Sequence, residues 1–125
     1  MFEITVEETF SSGHALRGYR GKCENPHGHN YRVRVVLRGS RLNSIGLLYD
    51  FKDLKSVLRA ETEKIDHQYL NDLEPFREVN PSAENMARYL FDRVREGIRG
   101  NAQGVEVTSV TVFETDTTAA VYSES

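Results

Sequence analysis

At 125 residues the chain has room for one compact domain, expected to span residues 1–125. A formal net charge of −3 argues against a general nucleic-acid or membrane-surface binder, which needs a basic face. One cysteine, Cys23, excludes an intramolecular disulfide, and no apolar run approaches the roughly 18 residues of a membrane span.

The opening Met-Phe-Glu-Ile-Thr-Val-Glu-Glu lacks the basic-then-apolar layout of a signal peptide, so a cytoplasmic protein is expected. From Phe2 to Val6, Phe2, Ile4 and Val6 alternate with Glu3 and Thr5, the period of a half-buried strand. Asn30 to Arg38 repeats it: Tyr31, Val33, Val35 and Leu37 face one way, Arg32, Arg34 and Arg38 the other, and Val36 breaks the pattern. Asp50 can cap a first helix, with Asp53 three positions on and an apolar stripe of Phe51, Leu54, Leu58 and Ile65. Asn80-Pro81 is expected to open a second helix with the stripe Ala83, Ala87, Leu90, Val94 and Ile98, ended by Gly97 or Gly100. Val105 to Phe113 and Thr118 to Tyr122 read as strands joined by a turn near Thr115-Asp116-Thr117. The order β-β-α-α-β-β predicts an α+β fold, a four-stranded antiparallel sheet with both helices on one face. Two open edges and a thin core, 38% hydrophobic, point to self-association, with edges pairing between subunits into a closed barrel.

Three of the four histidines fall within sixteen residues: His14, His27 and His29. In His27-Gly28-His29 an extended chain puts both imidazoles on one face. If the first two strands form a hairpin, His14 at the end of the first arrives beside them. Three imidazole nitrogens with a fourth position open is the pattern of a catalytic zinc site. Cys23, four residues before His27, has three readings. It is a fourth ligand closing a structural site, a base or nucleophile whose thiolate Lys22 and a nearby metal favour, or an inert small residue. Arg17, Arg20 and Lys22 beside the histidines could meet an anionic substrate; Arg32, Arg34, Arg38 and Arg41 read as a solvated strand face. Asp66-His67 is either an incidental neighbour pair or a proton shuttle, the carboxylate tuning the imidazole. Glu114 is either a solvated strand end or a bidentate acceptor for a heterocycle with two adjacent N–H donors.

Six segments in order carry a resemblance: Phe10-Ser-Ser-Gly-His14, Cys23-Glu-Asn-Pro-His27-Gly-His29-Asn-Tyr31, Gly46 to Phe51, Asp66-His67-Gln-Tyr-Leu70-Asn71, Asn80-Pro-Ser-Ala-Glu84-Asn85 and Phe113-Glu114-Thr115. The chain resembles the 6-pyruvoyltetrahydropterin and 6-carboxytetrahydropterin synthases. That resemblance implies the T-fold, a barrel completed by oligomerisation (a hexamer), and active sites where subunits meet. It implies zinc on His14, His27 and His29, Cys23 as catalytic base, Asp66 and His67 as a proton relay, and Glu114 as anchor of the pterin ring. The implied substrate is 7,8-dihydroneopterin triphosphate.

Three residues separate Cys23 from His27, a spacing that resembles the bacterial carboxy synthases of queuosine synthesis. The expectation is therefore 6-carboxytetrahydropterin, acetaldehyde and triphosphate; the alternative is the pyruvoyl synthase, which loses triphosphate and keeps the three-carbon chain. Ser82-Ala83 stands where the animal pyruvoyl synthases tend to have two threonines, a further small departure from them. Outside this class, a non-catalytic structural zinc module and a cupin-like binder remain. Two consecutive mid-chain helices disfavour the nearly all-β cupin.

Overall fold

The computed structural model describes residues 1–100 and 104–124. Strand β1 (Phe2–His14) pairs antiparallel with β2 (His27–Gly39), β2 with β3 (Val105–Thr115), and β3 with β4 (Thr118–Ser123), giving the sheet order β1-β2-β3-β4. Helices α1 (Phe51–Ile65) and α2 (Ala83–Ile98) pack on one face, α1 against β1 and α2 against β3 and β4. This is the α+β layer arrangement expected from the sequence.

The alternation of β2 sets the core. Tyr31, Val33, Val35 and Leu37 are buried beneath the helices, whereas Arg32 and Arg34 point to the opposite face. There both pair with Glu7, and Arg32 stacks 3.8 Å above the Phe113 ring. Against these strands pack Leu54, Leu58 and Ile65 of α1 and Ala83, Met86, Ala87, Leu90, Phe91, Val94 and Ile98 of α2. β2 begins at His27, three residues before the alternation becomes visible, so both of its histidines lie within the sheet.

Three local expectations need correction. Phe51 is exposed, because it stands in the first turn of α1, ahead of the helix's contact with the sheet. Asp50 caps α1 as expected, accepting from the Lys52 and Asp53 amides. Pro81 is not in the first turn of α2: Ser82 is the cap, its hydroxyl accepting from Asn85 N, and Pro81 stands outside the helix. Phe2, the first residue of β1, is also half exposed. Gly100, with φ of +91°, follows the Arg99 cap and supplies the left-handed turn that ends α2.

Gly97 lies where the two helices meet: a Cβ there would stand 2.5 Å from Val57 Cγ1. Val57 is β-branched and turns poorly out of the way. Helix propensity alone favours Gly97→Ala by about 1 kcal/mol, whereas overpacking costs about 1–3 kcal/mol. Gly97→Ala should therefore lower the denaturation midpoint; a higher midpoint would show that the helices separate freely.

Candidate metal centre

The β1–β2 register puts His14 opposite His27 and Ser12 opposite His29. Even-numbered residues of β1 and odd-numbered residues of β2 share the inner face, so all three imidazoles converge there. Glu114 joins them from β3, continuing the inward series Val110 and Val112. One ligand atom from each of His14, His27, His29 and Glu114 lies within 4.8 Å of all the others. Among the described residues this group could hold a metal ion, and Cys23 is not in it.

The hydrogen bonds fix the tautomers. His14 Nδ1 lies 2.7 Å from the carbonyl of Pro81 and His27 Nδ1 lies 2.8 Å from that of Asn25. A carbonyl can only accept, so in each ring Nδ1 carries the proton and Nε2 the lone pair. Those two Nε2 atoms then face each other at 3.0 Å with no proton between them. Two opposed lone pairs at this distance repel unless a cation sits among them. His29 Nε2 is 3.0 Å from Glu114 Oε1, yet it is buried without a hydrogen-bond partner. Such an orphan is costly in an ordinary core and expected in a ligand set. Desolvation, the largest influence, pushes His14 and His29 below the usual imidazole range, so both are held neutral, the form that binds metal. Tyr31, stacked on Phe10 at 4.9 Å, forms the floor; burial, with Glu114 nearby, pushes its hydroxyl upward and keeps it protonated.

Asp66 and His67 lie where the chain leaving α1 crosses the outer edge of β1. Asp66 Oδ1 accepts from Ser11 N at 2.9 Å, and Oδ2 faces His67 Nδ1 at 3.0 Å. His67 adopts φ of +56°, in the left-handed region, and its side chain is largely exposed. A hollow of about 360 Å³ lined by Ser11, Ser12, Gly13, His29, Asn30 and His67 has His67 and His29 on a common wall. Cys23 sits in a short 3-10 turn (Lys22–Glu24), tied back by Leu16 N donating to its carbonyl at 2.8 Å. Among the described residues no hydrogen bond joins Cys23 to Asp66 or His67. Arg17 donates through Nη2 to the carbonyls of Asn71 and Phe76, which ties its guanidinium to the chain after α1.

Sequence reasoning missed the Pro81 and Asn25 carbonyls, which carry no side-chain signal, and the place of Glu114 beside His29. The latter was available by parity, because Glu114 shares the inward phase of Val110 and Val112.

The metal-free protein should lose stability as pH falls below the ordinary imidazole value of 6.5. Below it the unfolded chain binds protons that native His14 and His29 refuse, so stability rises with pH through this window and falls on acidification. Urea midpoints between pH 7.5 and 5 test this; a flat profile would mean that the two rings are not held neutral.

Compared with known proteins, residues 3–125 match the family described as 6-pyruvoyl tetrahydropterin synthase. A 6-carboxy-5,6,7,8-tetrahydropterin synthase of Synechocystis is 35% identical, over 98% of this chain and 93% of its own length. The 6-pyruvoyl tetrahydrobiopterin synthase of Homo sapiens is 36% identical over 82% of this chain and 70% of its own. Among solved structures, the 6-pyruvoyl tetrahydropterin synthase of Caenorhabditis elegans superposes with a TM-score of 0.84, covering 100% of this chain and 98% of that one at 31% identity.

Proposed function

This chain belongs to the 6-pyruvoyl tetrahydropterin synthase family, and on that premise we propose that it is a zinc-dependent 6-carboxytetrahydropterin synthase of queuosine synthesis. What carries the zinc assignment is the 3.0 Å approach of two unprotonated Nε2 atoms, with the orphaned His29 Nε2 beside them. His14, His27 and His29 hold the metal, whose bound chemistry is that of a Lewis acid polarising the side-chain hydroxyls of 7,8-dihydroneopterin triphosphate. Cys23 takes a carbon-bound proton, and Asp66 and His67 pass protons through their 3.0 Å contact. A carboxylate offers about four lone-pair sites, so Glu114 can face His29 and still accept from two N–H groups of the pterin.

Cys23 standing outside the histidine group favours this reading over a structural zinc module closed by the thiol. The product assignment rests on the three-residue spacing from Cys23 to His27, since identity to carboxy and pyruvoyl synthases is alike. Residues 1–125 act as one cytoplasmic domain, and copies associate through sheet edges so that active sites form between subunits. Two features support the association. The hollow beside His29 is shallow for a pterin triphosphate, and the outer edge of β1 from Glu3 to Thr9 carries no hydrogen bond among the described residues. No helix among the described residues is long and apolar enough to cross a membrane.

Zinc-loaded protein given 7,8-dihydroneopterin triphosphate should release triphosphate and acetaldehyde and leave 6-carboxytetrahydropterin, read by chromatography with an aldehyde trap. Cys23→Ala should fold and keep its zinc while turnover is lost. A 6-pyruvoyl product without acetaldehyde would replace the carboxy assignment by the pyruvoyl one. Zinc-loaded protein that leaves the substrate intact would remove the enzyme reading.

A further inference from the structure

The segment that follows His14 is gripped by side chains. Ser11, Gly13, Ala15 and Arg17 present their backbone N–H and C=O groups to the same side, the outer edge of β1. The strand-like chain after α1 meets the first two: Asp66 Oδ1 accepts from Ser11 N, His67 N donates to Ser11 O at 2.6 Å, and Gly13 N donates to Gln68 O at 2.9 Å. That chain then turns away, and two asparagine side chains continue the ladder. Asn71 Oδ1 accepts from Ala15 N and its Nδ2 donates to Ala15 O, both at 2.9 Å. Asn80 repeats the contact on Arg17, again with both bonds at 2.9 Å. Each carboxamide copies one peptide unit of a neighbouring strand, a role open to Asn because it accepts and donates at once.

These contacts reach the proposed reacting groups from three directions. Ala15 directly follows His14. Asn80 directly precedes Pro81, whose carbonyl fixes the His14 Nδ1 proton, and Asn80 O is held in turn by Asn85 Nδ2 at 2.9 Å. Leu16, between the two clamped residues, donates its N–H to the carbonyl of Cys23. Asn71 is 9% exposed, so its amide has no water to substitute for a lost partner.

We propose that Asn71 and Asn80 are positioning residues, acting as paired amide clamps that fix His14 against the metal and, through Leu16, set the loop that carries Cys23. The inference rests on the zinc reading above for its metal half only. The thiol half stands on backbone contacts that need no metal.

The test uses Asn71→Asp and Asn80→Asp, which keep shape and acceptor but set a carboxylate oxygen against the Ala15 or Arg17 carbonyl. Zinc affinity is measured by chelator competition, and Cys23 alkylation by iodoacetamide is timed in metal-free protein. Both variants should bind zinc about 10-fold or more weakly, the usual cost of disturbing groups that orient metal ligands. Alkylation of Cys23 should change severalfold, and Co²⁺-substituted protein should show an altered visible spectrum. Unchanged zinc affinity, cobalt spectrum and thiol rate would overturn the proposal, even if the melting temperature fell, because the clamps would then serve stability alone. If Asn71→Asp does not fold, the more accessible Asn80→Asp decides the same question. If the wild-type protein binds no zinc, the metal reading fails, and the thiol rates in metal-free protein still decide whether the clamps position Cys23.

Discussion

The antiparallel register of β1 on β2 is the constraint from which the centre follows. Pairing His14 with His27, and Ser12 with His29, puts three imidazoles on the inner face. Sliding that pairing by one residue would turn one strand's histidines to the opposite face, along with Val6 and Phe10 or Tyr31, Val33 and Val35. Core burial and ligand convergence therefore select the same register. The Phe10–Tyr31 stack beneath the histidines belongs to both, being the last aromatic layer of the core and the floor of the site. A sheet that buries its valines has already assembled the centre.

Around this register the second half of the chain works as a brace. α1 delivers Asp66 and His67 to the outer edge of β1, and the N-terminal end of α2 delivers the Pro81 carbonyl to His14. Glu114 comes from β3, so the group draws on three strands and leans on both helices. Burial holds His14 and His29 neutral, and the carbonyls of Pro81 and Asn25 hold the Nδ1 protons on His14 and His27. The site is thus prepared for a cation by ordinary means: dry surroundings, fixed tautomers and converging lone pairs.

Much of this was legible in the sequence because it depends on period and spacing. Alternation along β2 announced the inner face, and His27-Gly28-His29 continues that alternation toward the N-terminus. The stripe of α2 was readable for the same reason. What escaped depends on contacts between distant residues or on backbone atoms. Asn71 and Asn80 bind residues 56 and 63 positions away, and nothing in their neighbours marks them as strand mimics. Pro81 looked like a helix opener, whereas Ser82 is a sufficient cap and leaves the proline carbonyl to the histidine. Phe51 has the right spacing for the α1 stripe, but helical period does not say where along the helix the sheet contact begins.

The account stands or falls on which atoms surround the metal, and X-ray absorption at the zinc edge of the zinc-loaded protein reads them directly. It predicts a first shell of nitrogen and oxygen at about 2.0–2.1 Å, with the outer scattering of three imidazoles and no sulfur. A sulfur at about 2.3 Å would place Cys23 on the metal, close the site and contradict the free-base role proposed for it.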